Sequence, residues 1–295
     1  MHMSSYGQYH LIYNAFSFTF ATMMAATLFF WFGRSQVSNA YKTAMTVTGL
    51  VTFIAAYHYF RISQSWVDAY SAVNGTVTAT GVSFNDAYRY VDWFLTVPLL
   101  LVELILVMGL SRQETATKAT KLGLLAAVMV GLGYPGEIAD AASGRWMWGG
   151  LAMIPFLWII YEMFVGLSRS VQQQPETARG MVKAAIWVTV LSWSFYPMVF
   201  FAGAVGMEGA TALAVVQVGY TIADLVAKAA FGLLIFLIAM RNLRPIWSRL
   251  KPPDRRGAGP MAAVTPPDLI AGAVCGAVCG AVYGDFRVRG EPRDS

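Results

Sequence analysis

Seven long apolar blocks constrain this chain more than any other feature, at roughly 8–33, 40–64, 86–110, 117–139, 146–168, 178–205 and 210–242. A hydrocarbon core is crossed by about 20 apolar residues in helical form. Inside such a solvent each backbone polar group must find its partner within the chain, which predicts helices for isolated blocks of this length. Most links are short, so successive helices are expected to be antiparallel neighbours. Charged residues make up 13% of the chain, against about 25% in soluble domains. The expected fold class is an all-α membrane protein, a seven-transmembrane-helix bundle.

One link is longer. Between Val67 and Asn85 it carries Val73-Asn74-Gly75-Thr76, and Asn-Gly between β-branched residues is a strong hairpin signal. A short β-hairpin is therefore expected in the second-to-third helix loop. After Leu250 the character changes. Pro252-Pro253-Asp254-Arg255-Arg256-Gly257 breaks helix, and the following Ala-Gly-Val-Cys repeat is short and glycine-rich. Residues 1–250 are read as one transmembrane domain, and 251–295 as a low-complexity, disordered cytoplasmic tail.

Charge sets direction. Arg34 and Lys42 flank the first link; Arg112, Lys118 and Lys121 the third; Arg169, Arg179 and Lys183 the fifth. Arg241, Arg244, Arg249 and Lys251 follow the last block, whereas the even-numbered links hold Asp68, Asp86, Glu137, Asp140 and Glu208. The positive-inside rule then places the N-terminus outside and the C-terminus in the cytoplasm, as expected for a multi-pass protein of the cell membrane. The net charge of +5 is explained by these link ends, so no nucleic-acid partner is expected. Both cysteines, Cys275 and Cys279, lie in the tail, which argues against a disulfide framework or a structural zinc site. Met1 to Tyr9 lacks a basic region, so no cleavable signal peptide is expected. No hydrolase, metal or nucleotide motif appears, and an enzyme is not expected.

An ionisable group at the bilayer centre costs at least about 2.5–3.5 kcal/mol, so each one asks for a function. Here they are His58, Asp92, Glu103, Glu162, Asp224 and Lys228, with Arg61 and Arg89 near helix ends. Tyr220, Asp224 and Lys228 recur every four residues and share one face. Lys228 could be a structural partner of Asp224, or an amine that forms a Schiff base with an aldehyde cofactor. The residues of this block leave both readings open. The third block adds Arg89, Asp92, Thr96 and Glu103 at i, i+3, i+7 and i+14, one stripe of a helix. Asp92 and Glu103 would lie about 16 Å apart along the axis, like two stops on a proton path.

The stretch from Arg89 to Glu103, RYVDWFLTVPLLLVE, resembles the third-helix signature of microbial rhodopsins. Asp224-Leu225-Val226-Ala227-Lys228 resembles their retinal-lysine motif, and Trp193-Ser194-Phe195-Tyr196-Pro197 their sixth-helix pocket wall. The resemblance covers residues 6 to about 245. Tyr57-His58-Tyr59-Phe60-Arg61-Ile62, Phe84 to Tyr90 and Gly133-Tyr134-Pro135-Gly136-Glu137 are similar to the proteorhodopsin branch, and to its xanthorhodopsin-like subgroup in particular.

The resemblance implies a light-driven outward proton pump that builds a proton-motive force. Lys228 would carry all-trans retinal as a protonated Schiff base. Asp92 would be primary counterion and proton acceptor, Asp224 the second counterion, and Glu103 the cytoplasmic donor. Thr96 would hydrogen-bond Asp92, His58 would pair with Asp92, and Arg89 would form the outward gate. Trp93, Leu100, Phe156, Trp193, Tyr196, Phe200 and Tyr220 would line the retinal. Gly149 would open the window where a carotenoid antenna lies in the subgroup, against the plainer reading of close helix packing. With Val216 and Gln217 in the outer half of the last block, a paired-glutamate release group is not expected. Protons and membrane lipid are the implied partners, together with further copies of the chain in a trimer or pentamer.

Two departures stand out. Ala229 follows the lysine where relatives carry proline, and Gly166 stands where relatives often carry glutamate. Glu162 in the fifth block has no role in this scheme. The rival readings are a photosensory rhodopsin signalling to a transducer, which would not need Glu103, and a seven-helix chemoreceptor without a covalent cofactor.

Overall fold

The computed structural model describes residues 5–241, except 86, 140, 175 and 205–208. The expectations for Asp86, Asp140, Glu208, Arg244, Arg249 and the tail from 251 onward fall outside the described residues.

Seven helical rods are seen where the apolar blocks predict them. They are α1 (Tyr6–Gly33), α2 (Lys42–Ala69), α3 (Tyr88–Val107), α4 (Arg112–Glu137), α5 (Ala142–Tyr161), α6 (Glu176–Ala204) and α7 (Gly209–Asp224). Two rods change pitch before they end. After Tyr161, α5 passes through a π turn, Glu162–Gly166, into Ser168–Gln172. After Asp224, α7 passes through a π turn, Leu225–Ala230, into Phe231–Arg241. Such turns with i→i+5 bonds are rare and concentrate at functional sites.

Local sequence explains where helices begin. Ser5 accepts a hydrogen bond from the Gln8 amide while the Gln8 side chain accepts from the Ser5 amide, and Ser111 and Glu114 repeat the device ahead of α4. Each box satisfies two of the donors that a helix start leaves orphaned.

Six of the rods are long and apolar enough to cross a membrane. The exception is α2, whose 28 residues suffice in length but include polar side chains. Thr48, Thr52 and His58 are buried, so its polarity is spent inside the bundle rather than on lipid. The surface is inverted relative to a soluble protein: Phe18, Phe32, Ile154, Leu191 and Met198 are exposed, while Arg89, Asp92, Glu103, Asp224 and Lys228 are buried. Lipid is the solvent such a surface fits.

The hairpin is present. Strands β1 (Tyr70–Val73) and β2 (Thr76–Ala79) pair antiparallel, Tyr70 opposite Ala79 and Val73 opposite Thr76. Asn74 and Gly75 have φ of 49° and 78°, as the favoured two-residue turn demands. Val77 is buried in a cluster with Tyr9, Ile12 and Trp66, which holds the flap against α1 and α2.

Candidate functional site

Three helices converge on Lys228. It lies inside the π turn of α7, and its side chain is wholly buried. Its Nζ stands 2.5 Å from Asp92 Oδ2 on α3 and 2.9 Å from Asp224 Oδ1, one turn earlier on α7. A buried ammonium survives only with such partners. The two carboxylates are surrounded differently. Asp224 accepts from Tyr59 Oη at 2.8 Å, Trp93 Nε1 at 3.1 Å and Tyr196 Oη at 2.6 Å. Asp92 Oδ1 has no hydrogen-bond partner among the described residues. Below them, Arg89 donates to Tyr59 Oη at 3.3 Å and to Gln217 Oε1 at 2.5 Å. Its guanidinium also lies 5.5 Å from the Tyr220 ring centre.

Beside the lysine is a cavity of about 110 Å³, several times the roughly 10–15 Å³ that one water needs. Trp93 and Leu100 come from α3, Phe156 from α5, Trp193, Tyr196 and Phe200 from α6, and Tyr220 from α7. Every pocket residue expected from the sequence lines it, Gly149 included. Tyr196 stacks on Tyr220 with centroids 5.7 Å apart, and Trp93 meets both rings edge-on. Lys228 and its neighbour Asp224 are the charged groups in a wall that is otherwise mostly apolar and aromatic. These residues fit an apolar polyene ending in an aldehyde. Met129 and Val130 on α4 and Met153 on α5 also line the cavity. Sequence reasoning missed them, because apolar residues at helical spacing look the same whether they face a cofactor or plain core.

The family model described as "Bacteriorhodopsin-like protein" matches residues 11–242. The chain belongs to the bacteriorhodopsin-like family. It is a microbial rhodopsin of the proteorhodopsin and xanthorhodopsin type, a multi-pass membrane protein whose chromophore is retinal. The crystal structure of xanthorhodopsin, "a Light-Driven Ion Pump with Dual Chromophore", is 45% identical. It covers 84% of this chain and 99% of its own, with a TM-score of 0.81. The green-light absorbing proteorhodopsin of Gamma-proteobacterium EBAC31A08 is 32% identical over 223 residues, 75% of this chain and 84% of the relative. The bacteriorhodopsin of Halobacterium salinarum is 32% identical over 251 residues, 83% and 88% of the two chains.

In this rhodopsin the contacts of Thr96, His58 and Gly149 take a specific form. Thr96 hydrogen-bonds Asp92, its hydroxyl donating to the Asp92 main-chain carbonyl at 2.8 Å, the usual back-bond of a helical threonine. His58 approaches Asp92 Oδ1 only to 3.9 Å, because its Nδ1 lies 2.9 Å from the Ile54 carbonyl one turn earlier. The pair is a near approach rather than a hydrogen bond. At Gly149 a Cβ would stand 2.5 Å from Phe200 Cε1 and 2.9 Å from the Phe201 ring. The missing side chain lets both rings pack close to the α5 backbone at the edge of the cavity.

Glu103 and Glu162 separate clearly. Glu103 is fully buried, with the Thr48 side chain as its polar neighbour and no ionic partner among the described residues. Glu162 is satisfied: Lys121 Nζ stands 2.7 Å away and Trp158 Nε1 donates at 3.2 Å. Gly166 makes room for it, since a Cβ there would collide with the Glu162 carboxylate. The glycine and the displaced glutamate are one packing solution. Sequence reasoning also missed Tyr59, which touches both Arg89 and Asp224. Its position next to His58 was the signal, but only the packing of α2 against α7 gives it a partner.

Proposed function

We propose that this rhodopsin, a light-driven ion pump by family and not an enzyme, moves protons outward across the cell membrane. Retinal, when bound to Lys228, supplies a bond that light isomerises and so moves the proton held at the Lys228 nitrogen. Asp92 receives it: Oδ2 is already 2.5 Å from Nζ, and its other oxygen has no donor. Asp224 already accepts three hydrogen bonds from the chain and so remains the fixed counterion. Arg89, spanned between Tyr59 and Gln217, is the outward gate. His58, whose Nδ1 is 3.9 Å from Asp92 Oδ1, is the acceptor's imidazole neighbour.

The observation that carries the direction is Glu103. It is on the same stripe of α3 as Asp92, about 16 Å along the axis, and buried with no ionic partner among the described residues. An isolated ionised carboxylate is too costly to bury there, so the group carries its proton and can give it up. That makes it the donor that restores the Lys228 nitrogen from the cytoplasmic side. The distribution of basic link residues supports an N-terminus outside and a C-terminus inside.

Two further parts of the reading concern assembly and the chromophore. The chain is proposed to assemble with further copies as a trimer or pentamer. A carotenoid antenna at Gly149 would have to displace the Phe200 and Phe201 rings, so retinal alone is proposed as the working chromophore. The deciding experiment is external pH in illuminated, unbuffered cells carrying the protein. Acidification that a protonophore abolishes is expected. Alkalinisation, or no pH change beside a slow photocycle, would favour inward transport or a photosensor instead.

A further inference from the structure

From the cytoplasmic end of the fold we infer that Gln174 is a latch controlling access to Glu103, an inference that rests on the pump reading above. Gln174 lies in the link between α5 and α6, yet its side chain is more than nine-tenths buried. A buried amide outside regular structure needs a reason. Its Nε2 donates to the Met108 carbonyl at 2.6 Å, and to the Ser170 carbonyl at 3.3 Å. Met108 is the residue that closes α3, so the amide caps a helix end whose last carbonyls are otherwise orphaned.

Met108 is five residues beyond Glu103, about 7–8 Å along the helix axis. Val107 and Met108 at the end of α3, and Leu167 and Val171 beyond α5, are buried in one apolar cluster toward the cytoplasmic end. A proton cannot cross dry apolar side chains, so Glu103 is reloaded only when this seal opens. The link is tied on its other side too: Arg179 on α6 donates to the Gln172 and Gln174 carbonyls at 2.9 and 3.2 Å. Gln174 therefore fastens the cytoplasmic start of α6 to the cytoplasmic end of α3. It touches no reacting group and acts as a positioning residue, holding the closed state until α6 moves.

The inference is tested by flash photolysis of the full retinal-loaded protein, comparing wild type with Gln174→Met and Arg179→Gln. Methionine keeps the length and loses the donor; glutamine at 179 releases the link from the α6 side and serves if the first variant does not fold. The recovery of Glu103 from the cytosol is expected to accelerate about two- to tenfold, the worth of one net hydrogen bond. Proton transfer from the Lys228 nitrogen to Asp92 is expected to keep its wild-type rate. Wild-type recovery in the folded variants, or equal acceleration of both steps, overturns the latch. A wild-type protein that completes its photocycle without moving protons sinks the pump reading itself, which is a separate result.

Discussion

Asp92 and Asp224 flank the same Lys228 nitrogen at 2.5 and 2.9 Å, yet three further side chains donate to Asp224 and, among the described residues, none to Asp92 Oδ1. The asymmetry assigns different costs to their loss. Asp92→Asn removes the acceptor and a charge beside the lysine. Absorption is expected to move to the red and light-driven pH change to vanish, read by spectroscopy and by a pH electrode on the same vesicles.

Asp224→Asn is expected to be worse for the fold. Tyr59, Trp93 and Tyr196 would then face an amide that cannot satisfy them all, and each unsatisfied buried donor costs about 1–3 kcal/mol. Tyr196→Phe removes only one donor, at about 1.5–3 kcal/mol for a bond to a charged group. Thermal bleaching of the chromophore should rank wild type above Tyr196→Phe and both above Asp224→Asn. The reverse order would refute the assigned contacts.

Glu103→Gln retains the volume and loses the transferable proton. Recovery of the proton on the Lys228 nitrogen is expected to slow about 100-fold or more, the usual worth of a placed general acid. It should also become pH-dependent. With no internal donor the proton comes from the cytosol, so the rate falls as pH rises. A pH-independent, wild-type recovery in this variant would remove Glu103 from the path.

Glu162 provides a negative control inside the membrane. Its partner Lys121 is 45% exposed at the side chain, and a pair that open contributes about 0–1 kcal/mol. Glu162→Gln is expected to pump at the wild-type rate with a small loss of thermal stability. A pumping defect would mean that the glutamate does more than fill the space beside Gly166.

Gly149→Ala tests the close ring packing at the cavity edge. The added methyl must push the Phe200 and Phe201 rings aside, a cost of about 1–3 kcal/mol for overpacking. Excitation spectra with added C40 carotenoid should show no energy transfer to retinal in the unaltered protein. Efficient transfer would show that the two rings yield to a ligand.

Much of this was legible in the sequence because the bilayer narrows the choices. Apolar length fixed the rods, and the rarity of buried charge picked out Lys228, Asp92, Asp224 and Glu103 before any coordinates. The Asn74-Gly75 turn was legible for a local reason, its need for positive φ. What stayed hidden depends on competition between partners. Thr96 and His58 each had a main-chain carbonyl one turn away, and that near partner won over the Asp92 carboxylate. Tyr59 and Gln174 act across helices that are distant in sequence, 165 residues for Tyr59 and Asp224 and 66 for Gln174 and Met108. No periodicity encodes such a meeting.

The π turn at Leu225–Ala230 carries a consequence for how this helix can vary. A wider turn accommodates one residue more than the α pitch allows, and one residue corresponds to about 100° of rotation. The extra residue is absorbed within the turn, and the helix beyond it keeps its inward stripe. Deleting one residue between Lys228 and Phe231 would let the turn close to the ordinary α pitch, with Phe231, Ile235 and Ile238 still turned inward. The turn acts as a buffer of length: it can take up the loss of one residue beside the lysine, whereas the same deletion in the α segment beyond it would turn everything that follows by about 100°.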